Sequence, residues 1–238
     1  MNKKKFWKYL MLSNFFKRIL TSITLITILS FSLYYKNFSW KVLVIFFSCL
    51  CFYEFYNLII KINLSKIFKQ LIIILISLYL YFFYLLVIRI KIEFGEEIIL
   101  ILLVACIFSD IGGYVVGKLI GGRKLTSISP NKTISGALGS IVFTILGTSL
   151  FVLLSKKTNF DFIEIDFSFL SYLWMILMSI FCQSGDLFIS YLKRKAKVKD
   201  TGNILPGHGG ILDRVDGIIF AVPFGFFTYN ILILNSTV

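Results

Sequence analysis

The chain is poor in acid and almost without histidine: 12 aspartates and glutamates stand against 25 lysines and arginines in 238 residues, and His208 is the single histidine. It also lacks any polar stretch long enough for a separate soluble domain, because apolar runs follow one another with only short polar gaps. The four cysteines, Cys49, Cys51, Cys106 and Cys182, fall inside apolar runs with neither a CxxC pair nor a zinc-ligand spacing. That excludes a cysteine-built metal site and leaves them as buried packing residues. No internal repeat, heptad pattern or low-complexity linker interrupts the chain. The basic N-terminus leads into an apolar stretch, as in a signal peptide, but no small-residue cleavage site follows and Phe31 to Tyr35 stay bulky. An uncleaved first helix is expected.

What is present is mostly apolar: 58% of residues are hydrophobic and 17% aromatic. The runs approach the roughly 20 residues that a bilayer-crossing helix requires. Hydropathy predicts an all-α, polytopic integral membrane helix bundle with about seven spans, at 19–35, 42–60, 67–88, 98–120, 137–155, 168–190 and 217–234. One integral membrane domain, 1–238, is expected, with N-terminal helices over 1–97 and the chemistry-bearing helices and loops over 98–238. The net charge of +13 is explained by topology and anionic lipid headgroups rather than by nucleic acid. With the N-terminus in the cytoplasm, only Lys36, Lys41, Arg89, Lys91, Lys156 and Lys157 fall in outside loops, and every other lysine and arginine lies inside. The positive-inside bias thus holds at each turn.

Two polar segments share that inner face, Gly121–Gly136 and the island Ser190–Asp216. The island sets basic groups suited to phosphates beside carboxylates suited to a divalent cation. Asp110 and Asp186 lie inside apolar spans, where an acid costs several kcal/mol and needs a cation, a partner or water. Asp186, Ser190 and Lys193 follow at i, i+4 and i+7, one stripe of a helix. Asp213 and Asp216, at i and i+3, start the last helix, where the dipole favours anions; simple helix capping by Asp213 is the plainer alternative to metal binding. Magnesium prefers carboxylates together with water and phosphate oxygens, and two such ions can stabilise an in-line displacement. His208 is suited to donate to a phosphate, to act as acid or base, or to bond the loop backbone, and the residue alone does not separate these. Gly113, Gly117 and Gly121 form a small-residue stripe read as helix packing. Glu54, among aromatic residues, is read as snorkelling or paired with a lysine. A transporter relaying protons or ions through Asp110, Asp186 and Glu54 is the competing class. Against it, the acids crowd the cytoplasmic ends and no related halves are visible.

Taken together, Ser190, Lys193-Arg194, Lys199-Asp200, Pro206, His208-Gly209-Gly210, Asp213-Arg214 and Asp216 resemble the signature of the phosphatidate cytidylyltransferase (CDP-diacylglycerol synthase) family. Gly185-Asp186, Ser109-Asp110 through Gly117-Lys118, and Ser129-Pro130 with Lys132-Thr133 extend the resemblance over roughly the C-terminal 60% of the chain. It implies attack of the phosphate of phosphatidic acid on the α-phosphorus of CTP, in a bacterial plasma membrane, with the site on the cytoplasmic side. It further implies Mg2+ as cofactor, held by Asp186 and Asp213 with Asp216 and Asp110 in support, in two sites and with room for a monovalent cation. Lys193, Arg194, Lys199 and Arg214 would neutralise phosphates; Ser190, Lys132 and Thr133 would orient them. The implied partners are CTP, phosphatidic acid and the membrane, with a homodimer allowed and no nucleic acid. Ser135 stands where the family commonly has glutamate, and Gly217 where serine is common. Another lipid phosphate as acceptor fits the same residues.

Overall fold

The computed structural model describes residues 3–35, 37–157, 167–207 and 209–232, and every extended element among them is a helix. In order these are α1 (Lys3–Tyr34), α2 (Asn37–Lys61), α3 (Lys66–Ile120), α4 (Ile134–Lys157), α5 (Phe169–Lys195) and α6 (Leu212–Leu232). Helices α2 to α6 are each long and apolar enough to cross a bilayer, whereas the apolar part of α1, Ile19–Tyr34, is shorter.

The spans expected at 67–88 and 98–120 are the two arms of α3, which meet at a kink. Helix α3 has 55 residues; straight, at about 1.5 Å per residue, it would reach about 80 Å against roughly 30 Å of hydrocarbon. It is broken at Gly95, whose φ of 81° and ψ of 179° lie outside the helical region. Glycine holds such a backbone without a Cβ clash. The polar stretch before it, expected as a loop, is helical instead, with Arg89 Nε 2.9 Å from Glu93 Oε2 one turn on. Charge density around position 90 suggested a connector; an i,i+4 ion pair keeps it in the helix.

The contacts of the chain divide into two compact units, Met1–Tyr84 with Lys195–Arg214, and Leu85–Arg194 with Val215–Val238. In the first, α1 packs on α2, and Trp40, Val44, Cys51, Phe55, Leu58 and Ile59 of α2 are buried. Of the cysteines, Cys51, Cys106 and Cys182 are buried as expected, but Cys49 is exposed; all are free thiols.

In the second unit, α3 and α4 meet along small residues. A Cβ on Gly113 would come 2.6 Å from Ser140 Oγ, and one on Gly112 would come 2.5 Å from the Gly139 carbonyl oxygen. Between helices in lipid there is no hydrophobic drive, so close approach and hydrogen bonds do the work. The hydrogen bonds are present: Ser109 Oγ and Ser179 Oγ lie 3.1 Å apart, and Gln183 Nε2 donates to the Ala137 carbonyl at 3.3 Å. Gly121 does not belong to this seam. A Cβ there meets nothing within 4 Å, and its φ of 64° ends α3 with its N–H on the Gly117 carbonyl at 3.1 Å. Fully buried Trp174 anchors α5 on α6, its Nε1 donating to the Gly225 carbonyl at 2.8 Å and its ring edge-on to Tyr229.

Candidate functional site

In the second unit, α3, α5, α6 and the loop before α4 bring charged groups together. Lys132 Nζ makes an ion pair with Asp186 Oδ2, their side chains 25% and 31% accessible. Asp110 and Asp216 both lie near enough to Asp186 for the three carboxyl groups to interact electrostatically. Glycine makes this approach feasible: a Cβ on Gly185 would come 2.5 Å from the Asp216 carbonyl oxygen. Asp110 also accepts from Cys182 Sγ at 3.7 Å, and Asp216 Oδ1 accepts from the Gly217 N–H at 2.9 Å. Lys193 is close enough to act on Asp216. Three carboxyl groups stand beside two ammonium groups and the Cys182 thiol, and the carboxyl oxygens are donors suited to a hard cation.

Among the described residues, no three acidic, histidine or cysteine side chains converge tightly enough to hold an ion unaided. Magnesium does not ask for that, since it usually takes one or two carboxylates and fills its shell with water and phosphate oxygens. The residues present therefore fit magnesium held jointly with a phosphate ligand.

The loop before α4 is shaped by its own hydroxyls. Thr133 caps α4: the Gly136 N–H donates to Thr133 Oγ1 at 3.0 Å. Ser135 Oγ donates to the Gly121 carbonyl, so the hydroxyl proton of Thr133 goes to Ser135 Oγ, 2.9 Å away. Thr133 was expected to orient phosphates; in the structure both of its hydrogen-bonding functions serve the loop. Arg194, at the end of α5, reaches the same loop through Nε on the Ile128 carbonyl at 3.4 Å. Ser190 is half-buried on α5, one turn beyond Asp186.

In the first unit, the segment between α5 and α6 closes on itself around two acids. Asp213 Oδ2 accepts from the Thr201 N–H at 2.9 Å, the Gly210 N–H at 3.1 Å and lies 3.1 Å from the Thr201 hydroxyl. The capping alternative for Asp213 is thus realised at that oxygen. Glu54 of α2 is 1% exposed. It accepts from the Ile211 N–H and the Leu212 N–H, both at 2.9 Å, and from the Thr201 hydroxyl at 2.6 Å. The expectation that Glu54 snorkels or pairs with a lysine is therefore wrong: it caps α6 from another helix. Nothing local in the sequence announces a cap drawn from a residue more than 150 positions away. The one hint was the cluster of glycines, since a Cβ on Gly210 would come 2.0 Å from Thr201 Oγ1 and one on Gly202 would come 2.6 Å from Glu54 Oε1. Lys199 and Arg214 are exposed, and His208 lies outside the described residues.

The family model described as the cytidylyltransferase family matches residues 60–232. Among curated proteins, the chain is 46% identical over 129 residues to a phosphatidate cytidylyltransferase of Helicobacter pylori, covering 54% of this chain and 45% of that protein. It is 43% identical over 136 residues to the Bacillus subtilis protein of that name, covering 57% and 48%, and 45% identical over 134 residues to that of Rickettsia felis, covering 54% and 57%. The chain spans about half the length of the curated relatives it matches. The match extends from the end of α2 to the end of α6, a range that includes Asp110, Lys132, Asp186, Asp213 and Asp216, and the chain belongs to the cytidylyltransferase family.

Proposed function

We propose that the chain transfers a cytidylyl group from CTP to phosphatidic acid, releasing pyrophosphate and forming CDP-diacylglycerol. The observation that carries this reading is the Lys132–Asp186 ion pair flanked by Asp110 and Asp216, a carboxyl-rich cluster in a family of cytidylyltransferases. An oxygen of the lipid phosphate attacks the α-phosphorus; the bond from that phosphorus to the oxygen bridging to the β-phosphorus breaks, and pyrophosphate leaves with the electron pair. The attacking group is already an anion, so no protein nucleophile is needed and catalysis is positioning plus charge neutralisation.

Magnesium, when bound, would supply positive charge to the triphosphate and to the leaving pyrophosphate. Asp186, Asp216 and Asp110 would hold it, and the family resemblance adds Asp213 as a further ligand. Two ions, or one beside a monovalent cation, suit four carboxylates. Lys193, Arg194, Lys199 and Arg214 would bind phosphates as charge-assisted donors. Lys132 would exchange Asp186 for a phosphate oxygen when nucleotide enters, so that the ammonium is never left without an anion. The N-terminus lies in the cytoplasm of a bacterial cell, the two arms of α3 about Gly95 count as separate crossings of the plasma membrane, and the site opens to cytosolic CTP.

The experiment is direct. Purified chain in vesicles containing phosphatidic acid, given CTP labelled in cytidine and Mg2+, moves label into the organic phase; label that stays aqueous with every lipid phosphate offered refutes the proposal. Running other lipid phosphates in parallel decides the acceptor. A transporter relay through Glu54 is disfavoured by its burial and its three donors, which tie it to the α6 terminus.

A further inference from the structure

Glu54 lies ahead of the residues that match the family model, is buried to 1% exposure and has no part in the chemistry proposed above. Its surroundings are nonetheless built around it. Each carboxylate oxygen takes a backbone N–H from the entry to α6, Ile211 on Oε1 and Leu212 on Oε2, and Oε2 also takes the Thr201 hydroxyl. Thr201 in turn is bound through its N–H to Asp213 Oδ2, on which the Gly210 N–H also converges. The same hydroxyl stands 2.6 Å from Glu54 and 3.1 Å from Asp213, so one threonine bridges the two carboxylates. Gly202 and Gly210 leave no space for a methyl group beside Glu54. A buried carboxylate without its donors costs several kcal/mol, so this geometry is strongly preferred over a relaxed one.

We infer that Glu54 is a positioning residue: through Thr201 and the 210–212 backbone it fixes the orientation of Asp213 and the course of the basic loop 196–211. It touches no substrate. Its effect on function runs through Asp213, and in that respect the inference rests on the magnesium role proposed for Asp213.

The test uses the purified full chain in detergent, with trypsin as probe of the loop and Mg2+ alone as ligand. Lys197 and Lys199 are exposed in the loop and offer cleavage sites. In the wild-type chain, Mg2+ slows cleavage there with a defined midpoint. Glu54→Gln keeps the size of the side chain but turns an amide N–H2 towards the Leu212 N–H. It is expected to speed metal-free cleavage and to raise the Mg2+ midpoint, each about tenfold, the worth of one charge-assisted hydrogen bond. Thr201→Val, which removes only the bridging hydroxyl, shifts the midpoint in the same direction, and Thr201→Ser restores it. A Mg2+ midpoint that stays at the wild-type value in Glu54→Gln and Thr201→Val overturns the inference even if cleavage speeds up, because Glu54 is then a helix cap and nothing more. Absence of Mg2+ protection in the wild-type chain overturns it too. Should the midpoints shift as expected while no lipid phosphate is cytidylylated, Glu54 keeps its role and the proposed reaction falls.

Discussion

Replacing Lys132 by methionine removes one charge at nearly constant volume and exposes what that charge does. In the wild-type chain Lys132 Nζ is in ion contact with Asp186, and Asp110 and Asp216 add negative charge beside it. A unit pair about 4 Å apart is worth about 4 kcal/mol at an effective dielectric constant of 20. The two side chains are 25% and 31% accessible, and screening reduces the net loss to about 1–3 kcal/mol. In a chain of this size that corresponds to about 3–10 °C in Tm. Methionine leaves three carboxylates around a neutral side chain, so Mg2+ should now stabilise the variant more than the wild type. Thermal unfolding in detergent, with Mg2+ and with chelator, measures both effects. Lys132→Met should lose stability in chelator and regain more than half of the deficit at saturating Mg2+. Combined with Asp186→Asn, it should show a coupling of about 1–3 kcal/mol. A deficit identical with and without Mg2+, together with strict additivity, would refute a charge-balanced carboxylate cluster at this place.

Further outcomes follow from other parts of the fold. Gly139→Val places bulk where even a bare Cβ would stand 2.4 Å from Val116 Cβ, and should lower Tm through about 1–3 kcal/mol of overpacking; an unchanged Tm would mean that α3 and α4 do not meet there. Gly95→Ala forces an L side chain to φ 81° and should cost about 1–2 kcal/mol, read as a lower midpoint of thermal unfolding. In a background without the native thiols, cysteine at Lys124 should react in intact cells only with a membrane-permeant maleimide; reaction with an impermeant one reverses the proposed orientation. Asp186→Asn should abolish label transfer into lipid, whereas Ser184→Ala, on an exposed side chain bonded only to the Ile180 carbonyl, should leave it near the wild-type rate.

Apolar run length made the helices of this chain legible, because only a helix satisfies every backbone group in hydrocarbon within a single segment. A break between 88 and 98 was legible but its form was not: charge around Arg89 and Glu93 resembles a loop until the i,i+4 pairing is seen, and the positive φ of Gly95 leaves no mark in hydropathy. Asp110, Asp186 and Asp216 were readable as a cluster because acids in apolar spans are rare and need partners. The phosphate role of Lys132 comes from the resemblance, and its pairing with Asp186 left no mark in the sequence, since residue type does not reveal which anion an ammonium meets. Glu54 was misread for a related reason. Its donors are backbone N–H groups, which every residue carries, so no side-chain pattern records the bond. Thr133 shows the same limit: a hydroxyl that orients phosphates and a hydroxyl that caps a helix have the same sequence signature.

The sharpest measurement follows the two ends of the triphosphate separately. CTP labelled with phosphorus-32 at the α position or at the γ position is offered with phosphatidic acid, Mg2+ and the purified chain in vesicles. Cytidylyl transfer requires α label in the lipid product and γ label in aqueous pyrophosphate, in equal amounts and only when both substrates are present. Label from the γ position in lipid, or no lipid label from the α position, would contradict it.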